Sequence, residues 1–383
     1  MKVHITLVGG QPAPVYHGIV ATKPDKIVFI YSEDSREVVE ALRKEIDILI
    51  DDQEPLDPTD PIKILKRANE LAEKYKNDEI TLNISSGLKS WSYLFGIVFD
   101  KMANASVVYM DQNNVLWNYK TMTSYDSFNF DMHTLFRLYG NPLVNYTPFG
   151  EYTEEDTFVI KEIEKCINFN HKVFNKLLAV LDKTRQAEIK QKNDGCFYLE
   201  EGDSSYVKWK KKNEKVGETN DEVILHLYNK EGKNITKKFV SPHAVSLAFN
   251  SGWFEYKVAL MLSKWDKAKE ICLNCRFPWK QLDKNEVDII VNTGKKILFV
   301  ECKTQITTST DIDKFSSVVK GYGGTGSKGL FVTDAKMKGL SIEKCEERRI
   351  LHFSLKECID VHLPEEKMLA WKLDSDLFNI NAK

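Results

Sequence analysis

The chain has 383 residues, of which 42% are hydrophobic and 29% charged, with a formal net charge of −2. That length exceeds what one hydrophobic core usually organises, so two domains of about 150–200 residues each are expected, and the composition is that of an ordinary globular protein. The charge balance excludes a global basic field, so a nucleic-acid site would have to be a local patch, and no apolar run approaches membrane-spanning length.

MKVHITLVGG is too weakly apolar for a signal peptide and reads as a first strand. From Val3 to about Tyr119, short β-branched runs alternate with helical patterns, the signature of a doubly wound sheet. The expected strands are Val3–Leu7, Lys26–Tyr31, Ile46–Ile50, Ile80–Asn83 and Ser106–Met110. Ser35 is a candidate cap for a helix to Lys44, Asp60–Lys76 carries Ile62, Leu65, Ala68 and Leu71 at helical spacing, and Lys89–Met102 is the third clear helix.

Periodicity is lost from Asp131 to Glu155, where Gly140, Pro142, Pro148 and Gly150 cluster. The expected organisation is therefore an α/β sensor domain over 1–145, a helical linker over 146–195 and a second α/β domain over 196–383. Long helices are expected from Glu154 to about Lys192, strands and turns from Cys196 to Val240, a helix from Pro242 to Ser263, and a β, β, β, α, β, α, β pattern to about Leu355. Seven cysteines are scattered, and the pair Cys272 and Cys275 lacks a second CxxC, which reads as reduced, structural thiols in a cytoplasmic protein.

Glu286–Asn292 and Lys296–Lys303 are strand-like runs separated by Thr293 and Gly294, a hairpin signal because glycine accepts positive φ. Pairing residues whose numbers sum to 587 sets Val291 opposite Lys296 and Asp288 opposite Phe299. Asp288, Phe299, Glu301 and Lys303 then share one face, the two carboxylates roughly 6–8 Å apart. Carboxylates on a hairpin otherwise built for burial are costly unless something binds them, and a divalent cation with hard oxygen ligands, magnesium or manganese, does so. Such a metal activates water and neutralises charge on a scissile phosphate, while Lys303 orients the water and stabilises the transition state.

An Asp followed about a dozen residues later by Glu-x-Lys, here VDII and FVECKT, resembles the PD-(D/E)xK nuclease superfamily. The resemblance implies that Asp288, Glu301 and the main-chain carbonyl of Cys302 bind metal and that Lys303 is catalytic. Gly252-Trp253-Phe254-Glu255 resembles the helix that supplies a further acid in these nucleases, which implies an auxiliary role for Glu255. Trp253 reads as core packing and Glu286 as peripheral. Lys208, Lys210, Lys211, Lys212 and Lys215 interleave with Trp209 either as a single-strand surface, with charge for phosphates and a ring for stacking, or as a solvated hairpin face.

Two loops follow predicted parallel strands, where open α/β sheets bind ligands. One is Gly9-Gly10-Gln11-Pro12-Ala13-Pro14; the other, Asn83-Ile84-Ser85-Ser86-Gly87-Leu88-Lys89-Ser90, leads into a helix and makes a phosphate cradle. Neither is a nucleotide fingerprint: GLKS lacks the Walker spacing, GGTGSKG at Gly323–Gly329 has serine and lysine in the wrong order, and GGQPAP is not GxGxxG. GGQPAP and NISSGLK resemble the GGN-P and N-x-T-G-G-T-K loops of CARF nucleases, Rossmann-like sensors of cyclic oligoadenylate in type III CRISPR systems, with departures at Gln11, Ser86 and Leu88.

The resemblance implies a homodimer that binds one cyclic oligoadenylate, the tetramer, through Gly10, Gln11, Pro12, Asn83, Ser85, Ser86, Gly87 and Lys89, and so shifts a restriction-endonuclease-like domain toward cleavage of nucleic acid. A symmetric ligand suits a symmetric dimer. The alternatives are a ligand-independent restriction or repair endonuclease and a non-catalytic sensing regulator. Single-stranded DNA, RNA and nicked duplex stay open as substrates, because groove shape decides between them.

Overall fold

The computed structural model describes residues 1–112, 114–125, 131–179, 181–199, 204–279, 285–304, 308–323, 327–357 and 363–380. They divide into two compact units, Met1–Val144 with Asn292–Ile297 and Gly321–Gly326, and Asn145–Val291 with Leu298–Lys320 and Ser327–Lys383. Residues 324–326 of the GGTGSKG run lie outside the described residues.

The first unit is built on one sheet of β1 (Lys2–Leu7), β2 (Lys26–Ile30), β3 (Leu49–Asp51), β4 (Glu79–Asn83), β5 (Ala105–Met110), β6 (Leu116–Asn118) and β7 (Thr123–Ser124). Its order is β3-β2-β1-β4-β5-β6-β7, with the first five strands parallel and the last two antiparallel. Chain order reverses between β1 and β4, the switch point at which such sheets bind ligands.

Both faces are covered because alternate strand residues are apolar on each side. Val3, Ile5, Leu7, Ile80 and Leu82 pack against α3 (Pro61–Lys74) and α4 (Lys89–Asp100) through Ile64, Ala68, Leu71, Trp91, Phe95 and Phe99. Ile27 and Phe29 face α1 (Pro12–Thr22), α2 (Arg36–Lys44) and α5 (Met132–Leu138) through Val15, Ile19, Val39, Leu42 and Leu138.

Three expectations are refined here. In α3, capped by Asp60 accepting from the amides of Ile62 and Lys63, the buried stripe is Ile64, Ala68 and Leu71, while Ile62 is 79% exposed. Ser35 stands at the N-cap of α2 as expected but makes no side-chain cap bond there; it closes a capping box with Ser32 around a preceding 3-10 turn, and its Oγ donates to Val8 O at 3.0 Å. A helix, α5, occupies part of the aperiodic stretch because Asp131 accepts from the amides of His133 and Thr134.

The second unit has a six-stranded mixed sheet, order β17-β16-β15-β14-β13-β8, of β8 (Asn145–Pro148), β13 (Glu270–Arg276), β14 (Glu286–Asn292), β15 (Ile297–Lys303), β16 (Ser327–Thr333) and β17 (Ile350–Ser354). A separate antiparallel sheet, order β12-β11-β10-β9, holds β9 (Asp194–Tyr198), β10 (Tyr206–Lys210), β11 (Asp221–Tyr228) and β12 (Asn234–Ser241). One core joins both sheets to α6 (Glu154–Phe174), α7 (Lys183–Gln191), α8 (Ala244–Ala248), α9 (Gly252–Ser263) and α12 (Glu365–Phe378), and α10 (Ser309–Gly323) and α11 (Gly339–Arg348) complete the βαβ pattern.

The long helical stretch is interrupted at Asn170 (φ −154°), whose amide donates to Tyr228 O at 2.6 Å. The helix expected over Pro242–Ser263 is likewise two helices, broken where Asn250 (φ 54°) and Ser251 (φ 65°) turn left-handed. Among the described residues, no helix is long and apolar enough to cross a membrane.

Candidate functional site

In the first unit, the loops after β1 and β4 lie side by side. The Gly9 N–H donates to Ser86 Oγ at 3.1 Å, and a Cβ on Gly9 would stand 2.8 Å from Gly87 N. Gly87 has φ +80°, and a Cβ there would stand 2.9 Å from Leu7 Cβ, so glycine is required twice over. Asn83 is buried; its Oδ1 accepts from Ser85 N at 3.0 Å and Ser85 Oγ at 2.6 Å, and its amide donates to Pro14 O at 3.2 Å. Ser85 Oγ in turn accepts from Met110 N at 2.8 Å.

Asn83, Ser85 and Ser86 therefore tie the two loops together and to β5. Pro12 is buried as the first residue of α1, whereas Gly10, Leu88, Lys89 and Ser90 are exposed. Neither α1 nor α4 has a side-chain cap bond, so the orphan amides of two helix N-termini flank the same loops, an arrangement that favours anions. Gln11 Oε1 accepts from Tyr139 OH at 3.0 Å. Tyr139 lies in the stretch that sequence periodicity left blank, which is why sequence reasoning missed it.

In the second unit, the charged cluster sits on β14, β15 and α9. The hairpin closes where Thr293 N–H donates to Lys296 O at 3.0 Å, leaving Gly294 (φ 78°) and Lys295 as the tip. Counted from that closure, paired residues sum to 589 rather than 587, and Asp288 stands opposite Glu301 instead of Phe299. The sum changes by two, so side-chain parity is kept and Asp288, Glu301 and Lys303 still share a face. Asp288 (8% exposed) and Glu301 (5%) are buried, and Lys303 donates to Glu301 Oε1 at 2.6 Å. The Cys302 N–H donates to Asp288 Oδ2 at 2.7 Å, fixing that carboxylate against the backbone of β15.

Glu255 occupies the first turn of α9, half-buried. Burial pushes the Cys302 thiol well above its ordinary value, and the charges of Asp288, Glu255 and Glu301 push it the same way while Lys303 opposes them. All four sequence-predicted side chains thus lie within electrostatic reach of one buried residue. The buried carboxylate oxygens of Asp288 and Glu301 are hard donors of the kind a divalent metal takes. Among the described residues, no group of three His, Cys, Asp or Glu ligand atoms lying within 4.8 Å of one another includes Asp288, Glu301 or Glu255.

Supporting residues appear that the sequence did not single out. Gly252 lets α9 approach α8, since a Cβ there would stand 2.1 Å from Ser246 O. Ser251 Oγ lies 3.2 Å from Thr304 Oγ1, joining the start of the Glu255 helix to the end of β15. Tyr152 stacks on Tyr256 at 4.4 Å; burial and then the Glu255 charge raise its phenol above its ordinary value. Trp253 packs edge-on against Phe254 at 5.5 Å, as core. Cys272 and Cys275 are buried, and Cys275 Sγ donates to Cys272 O at 3.4 Å.

Of the two readings of the lysine cluster, the one that used the Trp209 ring for stacking is corrected. The ring is buried (3% exposed) against Phe197 and Phe249, over Gly195, where a Cβ would stand 2.2 Å from the indole. Lys208 and Lys210 point the other way and lie on a solvated face.

Residues 3–138 match the family model of the Card1 CARF domain. No curated protein matches the chain. Its fold is similar to that of Can2 from Sulfobacillus thermosulfidooxidans in complex with cyclic tetra-adenylate, at 15% identity and a TM-score of 0.66, covering 97% of this chain and 99% of that one. It is also similar to protein VC1899 from Vibrio cholerae, at 15% identity and a TM-score of 0.70 over 98% of both chains. A type III CRISPR defence DNA nuclease activated by cyclic oligoadenylate shares 14% identity at a TM-score of 0.53, covering 88% of this chain and 46% of that one.

Proposed function

We propose that the chain is a metal-dependent endonuclease of type III CRISPR defence, switched on by cyclic oligoadenylate. In this reading the first unit is a CARF sensor and the second a PD-(D/E)xK nuclease domain. The observation that carries it is the pair of buried carboxylates, Asp288 and Glu301, on one hairpin face with Lys303 bonded to one of them at 2.6 Å. Buried carboxylates are costly unless they are paired, hydrogen-bonded or bound to a metal, and a metal between these two would add to the bonds they already accept.

Asp288, Glu301 and the Cys302 carbonyl would hold manganese or magnesium. The ion supplies Lewis acidity to a scissile phosphate. Lys303 places its ammonium beside Glu301, where it can neutralise charge that builds on the phosphate, and Glu255 adds an acidic group at the edge of the site. The Cys302 N–H, which donates to Asp288 Oδ2 at 2.7 Å, holds that carboxylate in one orientation.

In the first unit, exposed Gly10 and Lys89 and the two helix N-termini would meet the phosphates of cyclic tetra-adenylate, with Gln11 beside them. Pro12, Asn83, Ser85, Ser86 and Gly87 shape the loops. Support comes from the family match over 3–138 and from the ligand named for the similar Can2 structure. A homodimer would give the cyclic ligand two equivalent sites. The working compartment in this reading is the cytoplasm, in keeping with the six described free cysteines.

The test incubates purified protein with labelled single-stranded DNA, single-stranded RNA and supercoiled plasmid, with manganese and cyclic tetra-adenylate. Metal-dependent cleavage of any of them supports the reading. Ligand binding without cleavage of any substrate would leave a sensing regulator.

A further inference from the structure

The four-stranded sheet has one face turned to the core and one to solvent. Its strand β11 alternates buried and half-buried along its whole length. On the solvent side, rings from three adjacent strands form a continuous row. Tyr198 of β9 lies 5.7 Å from Tyr206 of β10, Tyr206 stacks on His226 of β11 at 5.2 Å and 19°, and His226 meets Tyr228 edge-on at 5.0 Å. Tyr198 is 59% exposed.

Aromatic residues suit strands and pair across them, and here the row ends in an exposed tyrosine beside lysines. The Lys208 ammonium lies 5.1 Å above the Tyr206 ring and pairs with no carboxylate among the described residues. On the same face Lys210 and Lys238 are engaged by Glu218 and Glu222. Past the end of β10, exposed Lys212 and Lys215 also pair with no described carboxylate. Among the described residues, the aliphatic side chains on this face are Ile224 and Val240, too few for an apolar protein interface.

We infer that this face is a stacking platform for single-stranded nucleic acid, centred on Tyr206 and Lys208. Exposed Tyr198 and half-buried Tyr206 offer ring surface to unpaired bases, and Lys208, Lys212 and Lys215, paired with no described carboxylate, offer charge to the phosphates, the combination by which single strands are held without sequence preference. Duplex, whose bases are already stacked, gains nothing from such rings. The inference deepens the nuclease reading, since it names a single strand as what the second unit holds, but binding to this face does not require cleavage.

The experiment uses the full chain carrying Glu301→Ala, so that the oligonucleotide survives, and follows fluorescence anisotropy of short labelled single strands and a matching duplex. Tyr206→Ala is expected to weaken single-strand binding on the order of tenfold, Lys208→Glu comparably with a shallower salt dependence, and Tyr206→Phe to bind as the parent does. Circular dichroism checks that each variant folds. Unchanged single-strand affinity in Tyr206→Ala and Lys208→Glu overturns the platform, as does preferential binding of duplex or a fall in particle mass that tracks the loss of binding and marks a contact between copies. Cleavage by the protein with Glu301 intact is scored separately: its absence beside Tyr206-dependent binding would defeat the nuclease reading alone.

Discussion

Lys303 Nζ donates to Glu301 Oε1 at 2.6 Å, from a half-buried ammonium to a carboxylate that is 5% exposed. The two stand two residues apart on β15, so the pleat puts them on one face, and Asp288 joins them from β14. Held beside that carboxylate, the ammonium is preorganised for the charge that would build on a bound phosphate. Lys303→Met should therefore lower cleavage by about 10²–10³-fold, the usual loss when one preorganised electrostatic group is removed. Rates measured at saturating metal check it; a change confined to metal affinity would make Lys303 a structural counter-ion.

The carboxylates should also register a metal in stability. A ligand that binds only the folded chain at about 100 times its Kd adds about 2.7 kcal/mol, so manganese should raise the melting temperature of the parent protein. Glu301→Gln and Asp288→Asn should abolish that rise. Scanning calorimetry with and without manganese measures it, and equal rises in parent and variants would place the ion elsewhere.

Two glycines are fixed by what surrounds them. Gly87→Ala combines a left-handed φ of +80° with a Cβ 2.9 Å from that of Leu7, so it should displace the loop after β4 and weaken binding of cyclic tetra-adenylate. Gly252→Ala meets Ser246 O at 2.1 Å and should destabilise the second unit by about 1–3 kcal/mol, with cleavage falling as Glu255 shifts. Isothermal titration checks the first and urea unfolding the second; wild-type values in both would show that the backbone relaxes freely there.

The first unit should lose stability in acid. His4 is fully buried, and burial pushes its imidazole from 6.5 to about 3; His17, buried as well, is pushed to about 4 for the same reason. Both are neutral when folded, while the unfolded chain takes up protons below about pH 6.5. Their contribution is therefore complete above that pH and is lost progressively as pH falls toward 3–4. At pH 5 the loss from His4 alone is about 2 kcal/mol. Urea unfolding at pH 7 and pH 5 checks it, and His4→Leu should remove roughly half of the difference.

Much of this was legible because strong local signals coincide with the site. VDII and FVECKT carry period-two alternation across a Gly-containing turn, so parity survived even where the register moved from 587 to 589. The switch-point loops were legible because Gly9, Asn83 and Gly87 follow strands whose apolar runs are unmistakable. Elsewhere the decisive forces are tertiary. Ile62 fits the helical period of α3 as well as Ile64 does, and only packing against the sheet selects Ile64. The break at Asn250 and Ser251 carries no proline, and nothing local announces that Gly252 must touch Ser246. Trp209 and Lys208 alternate on one strand, and which side faces the core depends on Gly195, on a neighbouring strand. Tyr152, Thr304 and Tyr139 act through contacts far away in sequence, beyond the reach of any spacing rule.

The most direct test of the account is the rate of metal-dependent cleavage with and without cyclic tetra-adenylate, measured for the parent protein beside Glu301→Ala. The account expects cleavage only when metal, ligand and Glu301 are all present. Equal rates with and without ligand, or undiminished cleavage by Glu301→Ala, would contradict it.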